Sequence, residues 1–186
     1  KGQAWLEREA LSQMAAQECM LLRMLLNQAR QLTAQRKELD EDVRQRVPRY
    51  KQAEVVESIP GFGPLVSLAV LSAVAEITRF RQPGQLASYF GTCGSVHQSG
   101  ESLRLGALTK RGNVHVRWLL SQALRTLHCR DPRVRQRYLK LKRKKPRGVA
   151  RAAQVRWLSN LVWWLMTKNE PYRRGGMQRK PDALAA

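Results

Sequence analysis

The feature that most constrains the fold of this chain is a short turn, Ile59-Pro60-Gly61-Phe62-Gly63-Pro64, which leads directly into the apolar run at residues 65–71. Glycine adopts the backbone angles of tight turns without steric cost, and proline is tolerated at the first position of a helix because its missing N–H would be unpaired there. Residues 51–57, just before the turn, have the pattern of a short helix. The sequence therefore predicts two helices joined by a Gly-x-Gly turn.

This arrangement is similar to a helix-hairpin-helix element, whose usual ligand is the nucleic-acid backbone. The unpaired N–H groups and the positive end of the dipole at the start of the second helix favour a phosphate. We therefore expect Gly61, Phe62 and Gly63 to contact nucleic acid. The alternative at this point is a turn that only joins two helices.

The charge of the chain favours a polyanionic partner. It has 34 Lys and Arg against 14 Asp and Glu, a net charge of +20. Residues 1–57 hold 10 basic and 9 acidic residues, so residues 58–186 hold 24 and 5. A run without acidic residues, 133–151, is expected to contact phosphates in a strongly salt-dependent way. Its candidate binding residues are Lys142, Arg143, Lys144, Lys145 and Arg147.

The cysteines and histidines do not have the spacing of a disulfide framework or a zinc site. Cys19, Cys93 and Cys129 are far apart, which fits a reducing, cytoplasmic compartment. No signal peptide or membrane span is recognisable, so we expect no membrane partner. The chain starts without Met inside a helical pattern, which indicates a piece of a longer protein.

The N-terminal region has the pattern of a coiled-coil arm, over residues 1–47. Seven of nine positions spaced alternately by four and three are apolar, and neither Gly nor Pro occurs between Gly2 and Pro48. A helix this long needs a partner, so we expect a homo-oligomer, dimer or tetramer; an ordinary bundle helix is the alternative. The seam positions are Ala15, Glu18, Leu22, Leu25, Ala29, Leu32, Arg36, Leu39 and Val43.

Residues 48–170 are predicted to form a compact all-α domain, followed by a disordered tail at 171–186. The helix that starts at Pro64 is apolar nearly all round and is expected to lie at its centre. A loop of about twenty residues, 91–112, is unusually long for a compact domain and favours a functional role. Asn113 and Asp131 begin two further helices, and a final helix from Val149 carries tryptophans expected to be mainly core.

Three separate stretches together are similar to the C-terminal domain of the DEDD-type transposases of bacterial insertion sequences. They are the turn at residues 59–64, the segment 80–89, and the string from Phe90 through Ser99-Gly100 to Asn113. Because several elements agree in order and spacing, the resemblance is more specific than a single Gly-x-Gly. It covers roughly residues 58–168, and the arm is similar to the linking coiled coil of that family.

The resemblance implies a DNA recombinase that excises and inserts its element, with DNA as partner. Some members of the family use a non-coding guide RNA. The serine that attacks the DNA phosphate in this family falls on Ser99, with Ser95 and Ser102 as alternatives. An attacking hydroxyl needs positive charge around the phosphate, and Arg104, Lys110 and Arg111 are candidates for it, as is His97.

The acidic half of the family's composite active site has no match in this chain. Its RuvC-like domain supplies four metal-binding acidic residues, so Mg²⁺ is expected only through that missing domain and no cofactor is expected here. A second departure is Gly94, where the family usually has proline. The fragment alone is therefore expected to be inactive. Two alternatives stay open, a non-catalytic DNA-binding and oligomerisation module and an RNA-binding protein.

Overall fold

A computed structural model describes residues 5, 6, 8, 15–99, 102–108 and 111–174, and for residues 95–99 and 102–108 the backbone alone. The chain divides into two compact units, residues 1–43 and 44–186. No helix in the described part of the chain is both long and apolar enough to cross a membrane.

The first unit consists mainly of helix α1, Ala16–Arg46. The last three residues of this helix, from Arg44, belong to the second unit. The predicted long helix is confirmed over these residues; most of the predicted arm before residue 15 lies outside the described residues. The helix ends just before a 3-10 turn, Val47–Arg49, that contains Pro48. Three leucines spaced by seven residues are largely exposed on it, Leu25 at 62%, Leu32 at 59% and Leu39 at 66%.

The second unit is built from six further helices and one β-hairpin. The prediction of a compact helical domain behind a long N-terminal helix is confirmed. In chain order the helices are α2 (Ala53–Glu57), α3 (Pro64–Val74), α4 (Pro83–Tyr89), α5 (Val114–Arg130), α6 (Pro132–Lys144) and α7 (Arg147–Lys168).

Helix α7, rather than α3, lies at the centre of this unit. It packs against α2, α4, α5 and α6, and buries residues on all sides. The expectation for α3 was wrong because that helix is only half as long, and Leu65 in its first turn is 54% exposed. Trp163 of α7 is buried, as predicted, and its indole N–H donates to the Phe80 carbonyl at 2.8 Å.

The predicted loop at residues 91–112 contains a two-stranded antiparallel hairpin. Its strands are β1 (Gly94–Ser99) and β2 (Ser102–Leu108), with Ser99 paired to Ser102 and His97 paired to Arg104. The connection is the dipeptide Gly100-Glu101, and glycine at the first of two turn residues is typical of tight hairpins. This turn signal was present in the sequence, but the glycines and serines around it favoured a loop.

Asn113 and Asp131 cap helices α5 and α6, as predicted. Asp131 also holds the C-terminal residues by a hydrogen bond to Tyr172. The Asn113 side chain accepts from the Val116 N–H at 3.0 Å, and the buried Asp131 accepts from the Arg133 N–H at 2.9 Å. The Tyr172 hydroxyl donates to the second Asp131 carboxylate oxygen at 2.6 Å. The Tyr172 N–H donates to the Ser58 hydroxyl at 2.7 Å. The predicted disordered tail therefore does not start at Pro171; its residues after 174 lie outside the described part.

Candidate nucleic-acid interface

The turn between α2 and α3 uses its two glycines differently. Gly61 has a φ of +96°, and a Cβ added there would lie 2.5 Å from the Ala123 carbonyl oxygen of α5. Gly63 has an extended backbone with a φ of −73°, and a Cβ added there would meet nothing within 4 Å. Gly61 is thus required for the turn to pack on α5, whereas Gly63 faces open space at the start of α3.

Phe62 belongs to the core instead of the surface of this turn. Its side chain is 4% exposed and its N–H donates to the Ile59 carbonyl at 2.9 Å, so neither is offered to a ligand. The first turn of α3 has no side-chain cap; Pro64 lacks an N–H and the Ser67 N–H donates to the Gly63 carbonyl, so Leu65 and Val66 are the positions whose N–H groups would face an anion. Beside Gly61, Arg130 and Arg174 line a surface pocket of about 450 Å³ together with Asp131.

Helix α6 carries a row of cations on one face. Arg133, Arg137, Lys140 and Lys144 follow one another at spacings of four, three and four residues, and all four line one shallow depression of the surface. At 1.5 Å per residue, this cationic stripe is about 17 Å long. The Arg137 guanidinium lies 5.0 Å from the centre of the Trp157 ring. Burial lowers the pKa of Arg137, but its ordinary value is high enough to keep the group charged.

The cations predicted from the basic run are all on the surface. Lys142, Arg143, Lys144, Lys145 and Arg147 are exposed at the junction of α6 and α7. Of these, Lys144 belongs to the cationic stripe, Lys142 and Arg143 of α6 do not line its depression, and Lys145 and Arg147 follow the end of α6. The cations near the C-terminus of α6 also interact favourably with the negative end of its dipole.

The two ends of the β-hairpin insert meet at a pair of glycines. Gly91 has a φ of +66° and Gly112 a φ of +101°. A Cβ on Gly91 would lie 2.1 Å from the Arg111 carbonyl oxygen, and one on Gly112 would lie 2.6 Å from the Gly91 nitrogen. The Arg117 guanidinium of α5 donates to the Gly91 carbonyl at 3.2 Å. The foot of the hairpin is therefore fixed on the helical core.

The register of the hairpin groups the predicted catalytic residues on one face. Directly paired residues share a face of an antiparallel ladder, as do residues two apart on a strand. Ser99 and Ser102 are therefore on the same face as His97 and Arg104, at the tip of the hairpin and next to it. Ser95 is near the foot, where the pairing is irregular between Gly94 and Val96. Arg111 is exposed at the foot, and Lys110 lies outside the described residues.

Residues 53–139 match the family model described as the Transposase IS116/IS110/IS902 family. These residues are therefore similar to the transposase domain of that family. The domain contains the Gly61 turn, the whole β-hairpin and the first half of α6.

Known transposases are similar to the chain over a larger part of its length. It is 36% identical over 125 residues to the Transposase for insertion sequence element IS1111A of Coxiella burnetii, covering 64% of this chain and 34% of that protein. It is 27% identical over 159 residues to a Probable family 20 transposase of Pseudomonas aeruginosa, covering 83% and 47%. The Insertion element IS116 uncharacterized 44.8 kDa protein of Streptomyces clavuligerus is 29% identical over 104 residues, covering 56% and 26%. The chain thus spans less than half the length of these relatives.

The described residues offer no cluster of metal-binding side chains. In the described ranges, no three His, Cys, Asp or Glu side chains come together as a possible metal site. Asp131 is buried, and its carboxylate is already hydrogen-bonded. It accepts from an N–H at the start of α6 and from the Tyr172 hydroxyl.

Sequence reasoning missed two parts of this surface. It assigned the whole run 133–151 to phosphate contact but did not recognise that Arg133, Arg137 and Lys140 share one helix face with Lys144, although their helical spacing was the available signal. It also overlooked Trp118, which is 58% exposed on α5. A single Trp between Arg117 and Leu119 on a predicted core helix gave no clear sign of its exposure.

Proposed function

We propose that this chain is the DNA-binding and strand-transfer part of an insertion-sequence transposase. The observation that carries the proposal is the match of residues 53–139 to a transposase family, on a domain that bears the Gly61 turn and the start of the cationic stripe. A DNA duplex presents regularly spaced phosphates, and Lys and Arg bind them by releasing counterions. The helix start at Gly63 offers backbone N–H groups to one phosphate, and the cationic stripe binds others.

In the proposed reaction Ser99 attacks a DNA phosphate. Its hydroxyl oxygen forms a bond to phosphorus, the bond from phosphorus to one deoxyribose oxygen breaks, the serine proton is released and the leaving oxygen takes up a proton. The phosphoserine link keeps the phosphodiester energy for rejoining. Arg104, on the same hairpin face, stabilises the charge that develops on the attacked phosphate, and His97 on that face is a candidate for accepting the proton. Acidic residues of another domain complete this site in the proposal.

DNA binding is tested by its salt dependence. Replacing Arg133, Lys140 and Lys144 with Gln is expected to lower the slope of log affinity against log salt by about 2 to 3, because each phosphate contact contributes about 0.9. Affinity for duplexes of unrelated sequence should fall by similar factors, since phosphate contacts carry no sequence information. Fluorescence anisotropy with labelled duplexes over a series of salt concentrations measures both quantities.

The matched control removes three cations from helix α1. A variant with Gln at Arg23, Arg30 and Lys37 has the same net charge as the α6 variant, and these residues are exposed and outside the predicted seam. It should keep a slope close to that of the unmodified chain. Equal slopes for both variants would mean that overall charge, and not the cationic stripe, determines binding.

We further propose that helix α1 pairs with the same helix of a second copy of this chain. Leu25, Leu32 and Leu39 are exposed at a spacing of seven residues, which fits the seam of a coiled coil. A seam of identical leucines is self-complementary, so a second copy is the partner that this spacing fits best. The guide RNA used by some members of the family is a further candidate partner for the positive surface.

The arm proposal predicts that a charge in the seam prevents association. A Leu32→Glu variant should shift the mass in sedimentation toward the monomer and weaken association at least tenfold, because each chain would place a carboxylate against another. Met20→Glu is the control, since Met20 is 66% exposed but outside the predicted seam. A monomeric unmodified chain at micromolar concentration would contradict the proposal.

A further inference from the structure

An exposed tryptophan lies in a positively charged pocket beside the foot of the β-hairpin. Trp118 is 58% exposed and lines a surface pocket of about 420 Å³ formed between α5 and the start of α7. Thr92, two residues before β1, lines the same pocket. Its hydroxyl donates to the Ala87 carbonyl at 2.8 Å, so this side of the pocket is held by the core.

Two arginines line the same pocket as Trp118. Arg117 donates to the Gly91 carbonyl at 3.2 Å, and Arg151 donates to the Ser121 carbonyl at 3.3 Å. Both arginines line the pocket, and no lining residue is acidic. A guanidinium has five N–H donors, so one such bond leaves others for a phosphate. Each arginine is thus held at the pocket by a bond to a backbone carbonyl and still has N–H donors for a phosphate.

We propose that Trp118, Arg117 and Arg151 form a binding site for an unpaired nucleotide, whose base stacks on Trp118 while its phosphates contact the two arginines. This rests on the proposed function, because it places a flipped or frayed nucleotide near the hairpin that carries Ser99. Aromatic rings stack on any base, and combined with cations they form the common platform for single-stranded nucleic acid.

The chemistry of the pocket favours a nucleotide over a protein segment as its occupant. An apolar peptide could cover the ring, but it would also bury the two neighbouring guanidinium groups without an anionic partner. Burying unpaired charges costs free energy. A nucleotide matches both parts, with a flat apolar base and an anionic backbone. The pocket is open to a nucleotide on the side of Gly148, at the start of α7, because a Cβ added there would meet nothing within 4 Å.

The test compares two DNA duplexes of equal length, one fully paired and one with a single unpaired nucleotide, in anisotropy titrations with the whole chain. The unmodified chain should bind the second duplex about 5- to 100-fold more tightly, the range expected for one stacked base. Trp118→Ala should remove this preference and leave affinity for the paired duplex within about twofold, since the ring is exposed and makes no phosphate contact in the proposal. Trp118→Phe should restore part of the preference.

Tyr89→Ala is the matched control, because Tyr89 is an aromatic residue that is 40% exposed and does not line the pocket. It should keep the full preference. If the paired duplex binds but the unpaired nucleotide gives no advantage, or if Trp118→Ala keeps the advantage, the nucleotide site is wrong and the proposed function stands. If neither duplex binds, both are wrong. A Trp118→Ala variant that changes only the sedimentation mass would assign the pocket to a protein partner and overturn the proposal.

Discussion

A Ser99→Ala substitution is expected to abolish covalent attachment of the protein to DNA. Alanine has no hydroxyl, so no bond to phosphorus can form, and the loss should exceed about a thousandfold because removal of a nucleophile leaves only binding and charge stabilisation. The experiment supplies the chain together with the acidic domain that completes the proposed active site. A nicked DNA that traps the intermediate is added, and the adduct is detected on a denaturing gel.

Two neighbouring serines provide the controls for this result. Ser102 is paired directly with Ser99, whereas Ser95 is four residues away, or about 13 Å along the strand. Ser102→Ala should keep most of the adduct, and Ser95→Ala should keep it as well if the hairpin pairing is unchanged. Persistence of the adduct in Ser99→Ala, together with its loss in either control, would transfer the role of nucleophile to that other serine.

The helical part of the fold could be predicted because its boundaries are determined locally. Pro64 and Pro132 stand at first helical positions, and Asn113 and Asp131 accept hydrogen bonds from the N–H groups that follow them. Such capping depends on residues only two or three positions apart, which the sequence displays directly. The centre of the core could not be read in the same way, because α3 is the more apolar helix, whereas α7 contains many polar residues and yet buries side chains on all its sides.

The candidate site was less predictable because it depends on contacts between distant segments. That Phe62 is buried and Trp118 exposed follows from how α3 and α5 pack, not from their own hydrophobicity. The β-hairpin depends on pairing across a two-residue turn, and local preference for strands is weak in a segment rich in Gly and Ser. The row of cations on α6 was within reach of the sequence, since it requires only a helix and the positions of its Lys and Arg residues.

The last prediction concerns the two glycines of the turn, Gly61 and Gly63. They are only two positions apart, but the structure assigns them different roles. Gly61→Ala should lower the free energy of unfolding by about 3 kcal/mol, since a left-handed φ and a clash with the Ala123 carbonyl oxygen both oppose a Cβ. That is a large share of the roughly 5–15 kcal/mol that stabilises a domain. Chemical denaturation followed by circular dichroism measures the difference.

Gly63→Ala is the matched variant and should behave in the opposite way. Its backbone is compatible with alanine and the space in front of it is open, so the free energy of unfolding should change by less than about 1 kcal/mol. If a phosphate approaches the start of α3 here, the added methyl group should weaken duplex binding about tenfold, the equivalent of one charge-assisted hydrogen bond. A Gly63→Ala variant that folds and binds DNA normally would limit the turn to its structural role, and the cationic stripe would then account for the phosphate contacts alone.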